Sequence, residues 1–301
     1  MKIMLSPNEW TITISDVDIN NLTKHEIDII GCLVGTQSLV VIKNQQHLSV
    51  RDDVSFLRRF GEPDINPPEV KNVVIDDSDR ILRRVTGKKD ANGQRTGLFG
   101  GKEILPWHAN PVEDPNRKSV VYLRAVAGTA GSMTSFTNHA RAWANSIDTE
   151  LKNYLVEKNF HTIHEHDASS YHVEQTLLDL YGTTSRPTRY KLDQLPTLIY
   201  KNRFDTEALY FSWLQFTKFQ ELDVVLSTLL AHRLRYLIMG DPKNVYDHSW
   251  EDGDVILSDQ WLGLHKRHPF DAIEDRLLHR AVVEYTNIDT SKKHQAIQSI
   301  S

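Results

Sequence analysis

Three residues in two distant stretches of this chain have the chemistry to hold a metal ion. His108 and Asn110 stand two apart in Leu105-Pro-Trp-His-Ala-Asn-Pro111, and His265 ends Asp259-Gln-Trp-Leu-Gly-Leu-His265. The first stretch reads as extended. A strand repeats every two residues, so His108 and Asn110 share one face. A His and an oxygen donor on that face, joined by a distant His, outline a facial triad. Two His and one carboxylate with the opposite metal face open is the arrangement of non-haem Fe(II) oxygenases. Position 110 departs from it, because Asn supplies a neutral amide oxygen where the triad has Asp or Glu.

The rest of the chain must position these residues. Its 301 residues are enough for a sizeable core, with 25% charged and 40% hydrophobic positions, an ordinary globular balance. Net charge is −5, which argues against a nucleic-acid partner. Cys32 is the single cysteine, so no intramolecular disulfide can form, in keeping with a reducing compartment. The N-terminal apolar run is too short for a signal peptide, and no run approaches the roughly 20 residues that span a bilayer. These points lead to an expectation of a cytoplasmic protein without a membrane partner, acting on a small molecule. Homo-oligomer formation is left open.

Periodicity predicts a helix over 16–36, capped by Asn21 or Thr23 and stopped by Gly35, then a buried strand over 38–43. A short helix runs from Asp52 to Phe60. Strands are expected at 118–126, 132–137, 196–200, 208–211, 255–257 and 276–285. Asn138 caps a helix to Ala144, and Asp148 to Lys158 forms another. The longest helix is expected from Phe219 to Ile238, with Leu222, Val225, Leu229 and Leu230 on its buried stripe. The tail from Asp289 reads as frayed. Residues 62–105 and 160–195 read as lid or loop insertions in a single domain over 1–301. Short strands flanking a helical centre indicate an α+β fold, a jelly-roll core with helices outside it.

Five segments, in order, resemble the taurine dioxygenase-like family of Fe(II)- and 2-oxoglutarate-dependent oxygenases. They are Val40-Val-Ile-Lys-Asn-Gln…Phe60-Gly-Glu-Pro, Leu105-Pro-Trp-His108, Gly131-Ser-Met-Thr-Ser-Phe-Thr-Asn138, Asp259-Gln-Trp…His265 and Arg276-Leu-Leu-His-Arg280. The resemblance implies a double-stranded β-helix. It implies His108 and His265 as metal ligands, with Asn110 in the place of the carboxylate. It implies Thr134 and Arg276 at the distal carboxylate of 2-oxoglutarate, and Arg280 facing the substrate. The activity implied is oxidation of an unactivated C–H bond by O2, with succinate and CO2 released.

On a strand Arg276 and Arg280 share a face. Two cations inside one barrel need two anions, so the substrate is expected to be acidic or zwitterionic. The competing placement is at the surface, paired with Glu274 and Asp275. For Asn110 three outcomes stand: weakened iron binding, an active centre in which Asn110 ligates or lines the site, and a halogenase-like site open to chloride. A silent jelly-roll binding protein is the reading from another class. The cluster His161, His164, His166 and His172 has metal-like spacing but sits in the expected lid.

Overall fold

Two antiparallel-rich sheets and the helices outside them make up a mixed α/β fold in the computed structural model. It describes residues 1–66, 74–76, 80–94, 96–98, 103–109, 118–164, 166–167, 185–186, 196–213, 215–271 and 275–300. The strands of the N-terminal half are β1 (Lys2–Leu5), β2 (Ile12–Ser15), β3 (Leu39–Ile42), β4 (Arg83–Val85), β5 (Leu105–His108), β6 (Val120–Ala127) and β7 (Met133–Thr137). Then come β8 (Thr162–His164), β9 (His166–Asp167), β10 (Ser185–Arg186), β11 (Ile199–Lys201), β12 (Glu207–Leu209) and β13 (Phe216–Phe219). The last are β14 (Val245–Ser249), β15 (Val255–Asp259), β16 (His265–Arg267) and β17 (Leu277–Val283).

The seven-stranded sheet has the order β1-β2-β3-β15-β6-β17-β4, and the four-stranded sheet the order β14-β7-β16-β5. Only β2 and β3 pair in parallel; the other pairs of these two sheets are antiparallel. Strand alternation divides the apolar residues of the larger sheet between its faces. Val40, Ile42, Tyr122, Val255, Leu257 and Val283 pack with residues of helices α1 (Lys24–Gln37) and α2 (Val50–Phe60). Leu39, Val41, Val121, Leu123, Ile256 and Leu278 turn the other way and meet Phe136 of β7 and Trp250 just past β14. The two sheets therefore share a core, and the residues predicted to do chemistry line the space between them.

Local signals fix the helix ends. Thr23 and Glu26 form a capping box for α1, and Ser49 and Asp52 form one for α2. Asn138 caps α3 (His139–Ala144), and Asp148 caps α4 (Thr149–Lys158), as expected. Several expectations need correction. The helix expected from 16 is a 3-10 turn at Ile19–Asn21 followed by α1, which continues past Gly35 to Gln37. Gly35 is an approach point, since a Cβ there would lie 2.1 Å from the Phe204 ring. The longest helix among the described residues is Val224–Met239, because Phe216–Phe219 is strand and Asp223 supplies the cap. Its buried side chains are Ser227, Leu230, Leu234 and Ile238, whereas Val225 and Leu229 are exposed. The C-terminal tail is ordered. Helix Lys293–Gln298 packs on α1 through the fully buried Ala296.

The expected insertion at 160–195 begins inside the core. Phe160 is buried, and β8 pairs with β13. Most of its remainder, like much of 62–105, lies outside the described residues. Among the described residues no helix is long and apolar enough to cross a membrane.

Candidate metal centre and anion site

The chain enters the site through β5, whose Pro106 carbonyl orients the first histidine. His108 is buried, and its Nδ1–H donates to Pro106 O at 2.6 Å. That bond selects the tautomer and leaves Nε2 as the nitrogen suited to a metal. His265 stands directly across the ladder, with its Cα in register with that of His108. The two imidazole centroids are 4.2 Å apart, and Phe136 stacks on His265 from the next strand. Desolvation, then the neighbouring His108 and then Arg280 hold the His265 pKa well below the usual imidazole range. The ring is neutral at physiological pH, which is the form that ligates. Two converging imidazoles fit a divalent transition metal.

Asn110 lies outside the described residues. Its neighbour Ala109 is described and is held from both sides of its peptide. Ala109 N–H donates to Gln215 Oε1, and Gln215 Nε2 donates to Ala109 O, each at 3.3 Å. Ser212 Oγ donates to the same Gln215 oxygen at 2.7 Å and fixes the amide's orientation. Among the described residues no group of three or more His, Cys, Asp or Glu could hold a metal ion. What the described residues bring together of the expected ligand set is the histidine pair. Of the His cluster in the expected lid, two members have described partners. His161 pairs with Glu221 at 2.6 Å, and Ser212 N–H donates to His164. The His166 side chain and all of His172 lie outside the described residues.

Two arginines, one on β17 and one just before it, are buried, and Arg280 is close enough to His265 to act on its pKa. Arg276 precedes β17 and is 2% exposed, and Arg280 on the same strand is 8% exposed, so neither is a surface ion-pair partner. Arg276 Nε donates to Ser132 Oγ at 3.2 Å, and its buried Nη1 has no hydrogen-bond partner among the described residues. Desolvation first, and Arg267 second, draw its pKa down to about 9. Thr134, two residues along β7 from Ser132, accepts a bond from Trp250 Nε1 at 2.9 Å. That contact uses an oxygen lone pair and leaves the hydroxyl proton to donate. A guanidinium with an unsatisfied N–H beside a hydroxyl donor is a site for a carboxylate.

Sequence reasoning missed two residues here. Arg267 follows His265 by two positions on β16, so it shares the histidine's face, and its Cα is in register with Thr134. Strand alternation applied to His265 would have found it. Gln215 lies far from position 109 in sequence, and no local pattern marks it. Trp261 is a packing residue, stacked on Tyr200 at 4.6 Å.

Two facing imidazoles and two buried guanidinium groups fit an enzyme that holds a divalent metal and an anionic partner. The sequence model of the taurine catabolism dioxygenase TauD, TfdA family matches residues 5–282, and the chain belongs to that family, whose members use Fe(II), 2-oxoglutarate and O2. It is an enzyme of the 2-oxoglutarate-dependent dioxygenase class. Pentalenolactone F synthase of Streptomyces avermitilis is 27% identical over 253 residues, covering 81% of this chain and 80% of the relative. The (S)-phenoxypropionate/alpha-ketoglutarate-dioxygenase of Sphingobium herbicidovorans is 23% identical over 241 residues, 77% of each chain. In fold, the chain is similar to AAD-2 in complex with Mn(II) and N-oxalylglycine, with a TM-score of 0.65, 20% identity, and 93% and 97% of the two chains covered. A taurine dioxygenase from Burkholderia xenovorans gives a TM-score of 0.67 at 18% identity, covering 94% of this chain and 90% of that one.

Proposed function

We propose that this enzyme hydroxylates a small anionic or zwitterionic substrate at an unactivated C–H bond, with 2-oxoglutarate converted to succinate and CO2. In this reading the two sheets are the walls of a double-stranded β-helix in a single domain over 1–301. The segments 62–105 and 160–195 contribute the cover of the pocket, and the cytosol is the compartment. His108, His265 and Asn110 hold Fe(II). Arg276 and Thr134 hold the distal carboxylate of 2-oxoglutarate, and Arg280 faces the substrate. When bound, the iron together with the keto-acid and O2 supplies the oxidising chemistry. The chain's own residues bind, orient and shield the reacting partners.

The observation that carries this reading is the pair of facing imidazoles in a fold that also buries Arg276, whose Nη1 has no hydrogen-bond partner among the described residues. A buried cation with an unsatisfied donor costs several kcal/mol unless an anion meets it. A second buried guanidinium at Arg280, close enough to lower the His265 pKa, supports an anionic group on the substrate as well. The (S)-phenoxypropionate named for one relative is itself a carboxylate, in keeping with that charge.

The test adds Fe(II) and 2-oxoglutarate without oxygen and looks for a weak visible charge-transfer band. Oxygen is then admitted and succinate measured with candidate carboxylate substrates. A band followed by succinate supports the reading. Absence of both in the Asn110→Asp variant as well as the native chain would remove it. A specific feature favours a second outcome, in which the native chain binds 2-oxoglutarate but turns over slowly for want of iron. That feature is the neutral amide at 110, a poorer partner for Fe(II) than a carboxylate.

A further inference from the structure

We propose that Trp250 is a positioning residue for the keto-diacid: its indole N–H holds the Thr134 hydroxyl as a donor, so that the far carboxylate meets an O–H already oriented. The proposal rests on the reading in which Thr134 meets that carboxylate, and extends it to a residue outside the five matching segments.

A threonine hydroxyl has one proton to give and two lone pairs, whereas an indole N–H can only donate. Trp250 Nε1 donates to Thr134 Oγ1 at 2.9 Å, and both side chains are buried. The Thr134 proton therefore cannot turn toward the indole. The indole is itself held twice. Trp250 N–H donates to Ser132 O at 3.1 Å, which ties its backbone to the residue before β7. His248, in register with Thr134 on the β14–β7 ladder, meets the indole edge to face, with 4.7 Å between ring centroids and 90° between planes. Ser132 and Thr134 are two apart along an extended stretch, so they share a face. Arg276 Nε docks on Ser132 Oγ at 3.2 Å, as the indole docks on Thr134.

A phenyl ring would keep most of the packing and leave the hydroxyl free to rotate. The N–H makes a specific difference. An ionised carboxylate only accepts hydrogen bonds, so a hydroxyl held as a donor favours it. The effect acts only on ligands that carry the far carboxylate, so it sharpens selection of a keto-diacid over a keto-monoacid of equal length. One oriented hydrogen bond corresponds to roughly 3- to 10-fold in affinity.

The experiment measures anaerobic binding by calorimetry in the presence of Mn(II), without turnover. The probes are 2-oxoglutarate and 2-oxovalerate, which has the same chain length and no far carboxylate. In W250F, 2-oxoglutarate binding should weaken by roughly 3- to 10-fold while 2-oxovalerate binding stays as in the native enzyme. In a T134V background, which has no hydroxyl to orient, W250F should make no further difference to 2-oxoglutarate. Unchanged 2-oxoglutarate binding in W250F, an equal loss for both acids, or the same loss in the T134V background overturns the proposal. If W250F does not fold, nitrogen-15 spectra of the indole N–H groups decide, with Zn(II) as the metal. T134V should move one indole signal, and in the native chain 2-oxoglutarate but not 2-oxovalerate should move that same signal. A signal moved alike by both acids, or by neither, overturns the proposal. Native enzyme that does not bind 2-oxoglutarate more tightly than 2-oxovalerate would overturn the underlying reading too, a result distinguishable because it is seen without any substitution.

Discussion

Gln215 and Ala109 exchange two hydrogen bonds, N–H to Oε1 and Nε2 to O, each 3.3 Å long. The bonded peptide joins His108 to Asn110, so the side chain of Gln215 sets the backbone between two proposed metal donors. Ser212 in turn fixes the glutamine. Gln215→Ala should leave the fold in place and release this peptide. Outer partners of ligand residues act on metal affinity by about 10- to 100-fold. Mn(II) titration followed by electron paramagnetic resonance should show a loss on that scale in Q215A, with far-UV circular dichroism unchanged. Native affinity would mean that the peptide is held by other contacts.

Removing Arg276 tests the anion site directly. Arg276→Gln keeps a hydrogen-bond donor for Ser132 and deletes the buried charge. Binding of 2-oxoglutarate should fall by at least roughly 100-fold, since a charge-assisted fork is lost. Thermal stability of the ligand-free chain should hold or rise, because an unpaired buried cation is gone. Calorimetry and a melting curve on the same sample check both. A fall in stability without loss of binding would assign Arg276 a structural role.

Parts of the candidate site were legible in sequence for a physical reason. Strand period put Arg276 and Arg280 on one face, and both are buried; the family resemblance joined His108 to the distant His265, and their rings face each other. Arg267, which follows His265 by one strand period and is also buried, went unread. Gln215 was not legible, because its role depends on a contact across the fold. Among the elements, capped helices such as α3 and α4 carried their own signals. The Val224–Met239 helix misled because Val224, Val225, Leu226 and Leu229 are exposed, so its apolar residues do not mark its buried face. The frayed reading of the tail failed because a polar helix can be held by one small buried residue, here Ala296. Strands β1, β2 and β14 are four or five residues long, too short for a period to stand out.

Behind the site, Asp53 of α2 accepts from Tyr122 OH at 2.6 Å, from Arg124 Nε at 2.7 Å and Nη2 at 2.8 Å, and from His279 Nδ1 at 2.6 Å. The Asp53 side chain is 0% exposed and the Arg124 side chain 2%. This network ties α2 to β6 and to β17 one residue from Arg280. Asp53→Ala would leave a buried guanidinium without its counter-charge, at a cost of about 3–5 kcal/mol. Urea unfolding should report a loss of that size. A change below about 1 kcal/mol would mean that water reaches Arg124 in the variant.

Acid should weaken the fold through His139. Its Nδ1–H donates to Leu209 O at 2.9 Å, its buried Nε2 has no hydrogen-bond partner among the described residues, and burial pushes its pKa down to about 4. In the unfolded chain an imidazole titrates near 6.5. The unfolded state therefore binds a proton first as pH falls. Stability is full above about pH 6.5, declines from there to about pH 4, and from this group falls no further below that. The total is about 3 kcal/mol, at 1.36 kcal/mol per unit of pKa difference. His139→Asn keeps a donor for Leu209 and removes the titration. Urea midpoints at pH 7.5 and 4.5 should differ less in H139N than in the native chain. Equal differences would place the acid sensitivity elsewhere.

The neutral donor at position 110 makes a sharper prediction than any of these. With two neutral imidazoles and an amide, the proposed ligand set brings no negative charge to a divalent ion. Arg267, Arg276 and Arg280 are buried nearby. Coulomb attraction thus comes only from the co-substrate, and metal and keto-acid should bind with strong positive coupling. Asn110→Asp supplies a fixed negative charge. It should raise Mn(II) affinity without co-substrate by roughly tenfold or more, the scale on which changes around a metal act. It should also shrink the factor by which 2-oxoglutarate tightens the metal, because part of the needed charge is already present. Mn(II) titrations with and without saturating 2-oxoglutarate, on both chains, measure the two factors. Equal coupling in the two would mean that residue 110 does not contribute a donor to the ion.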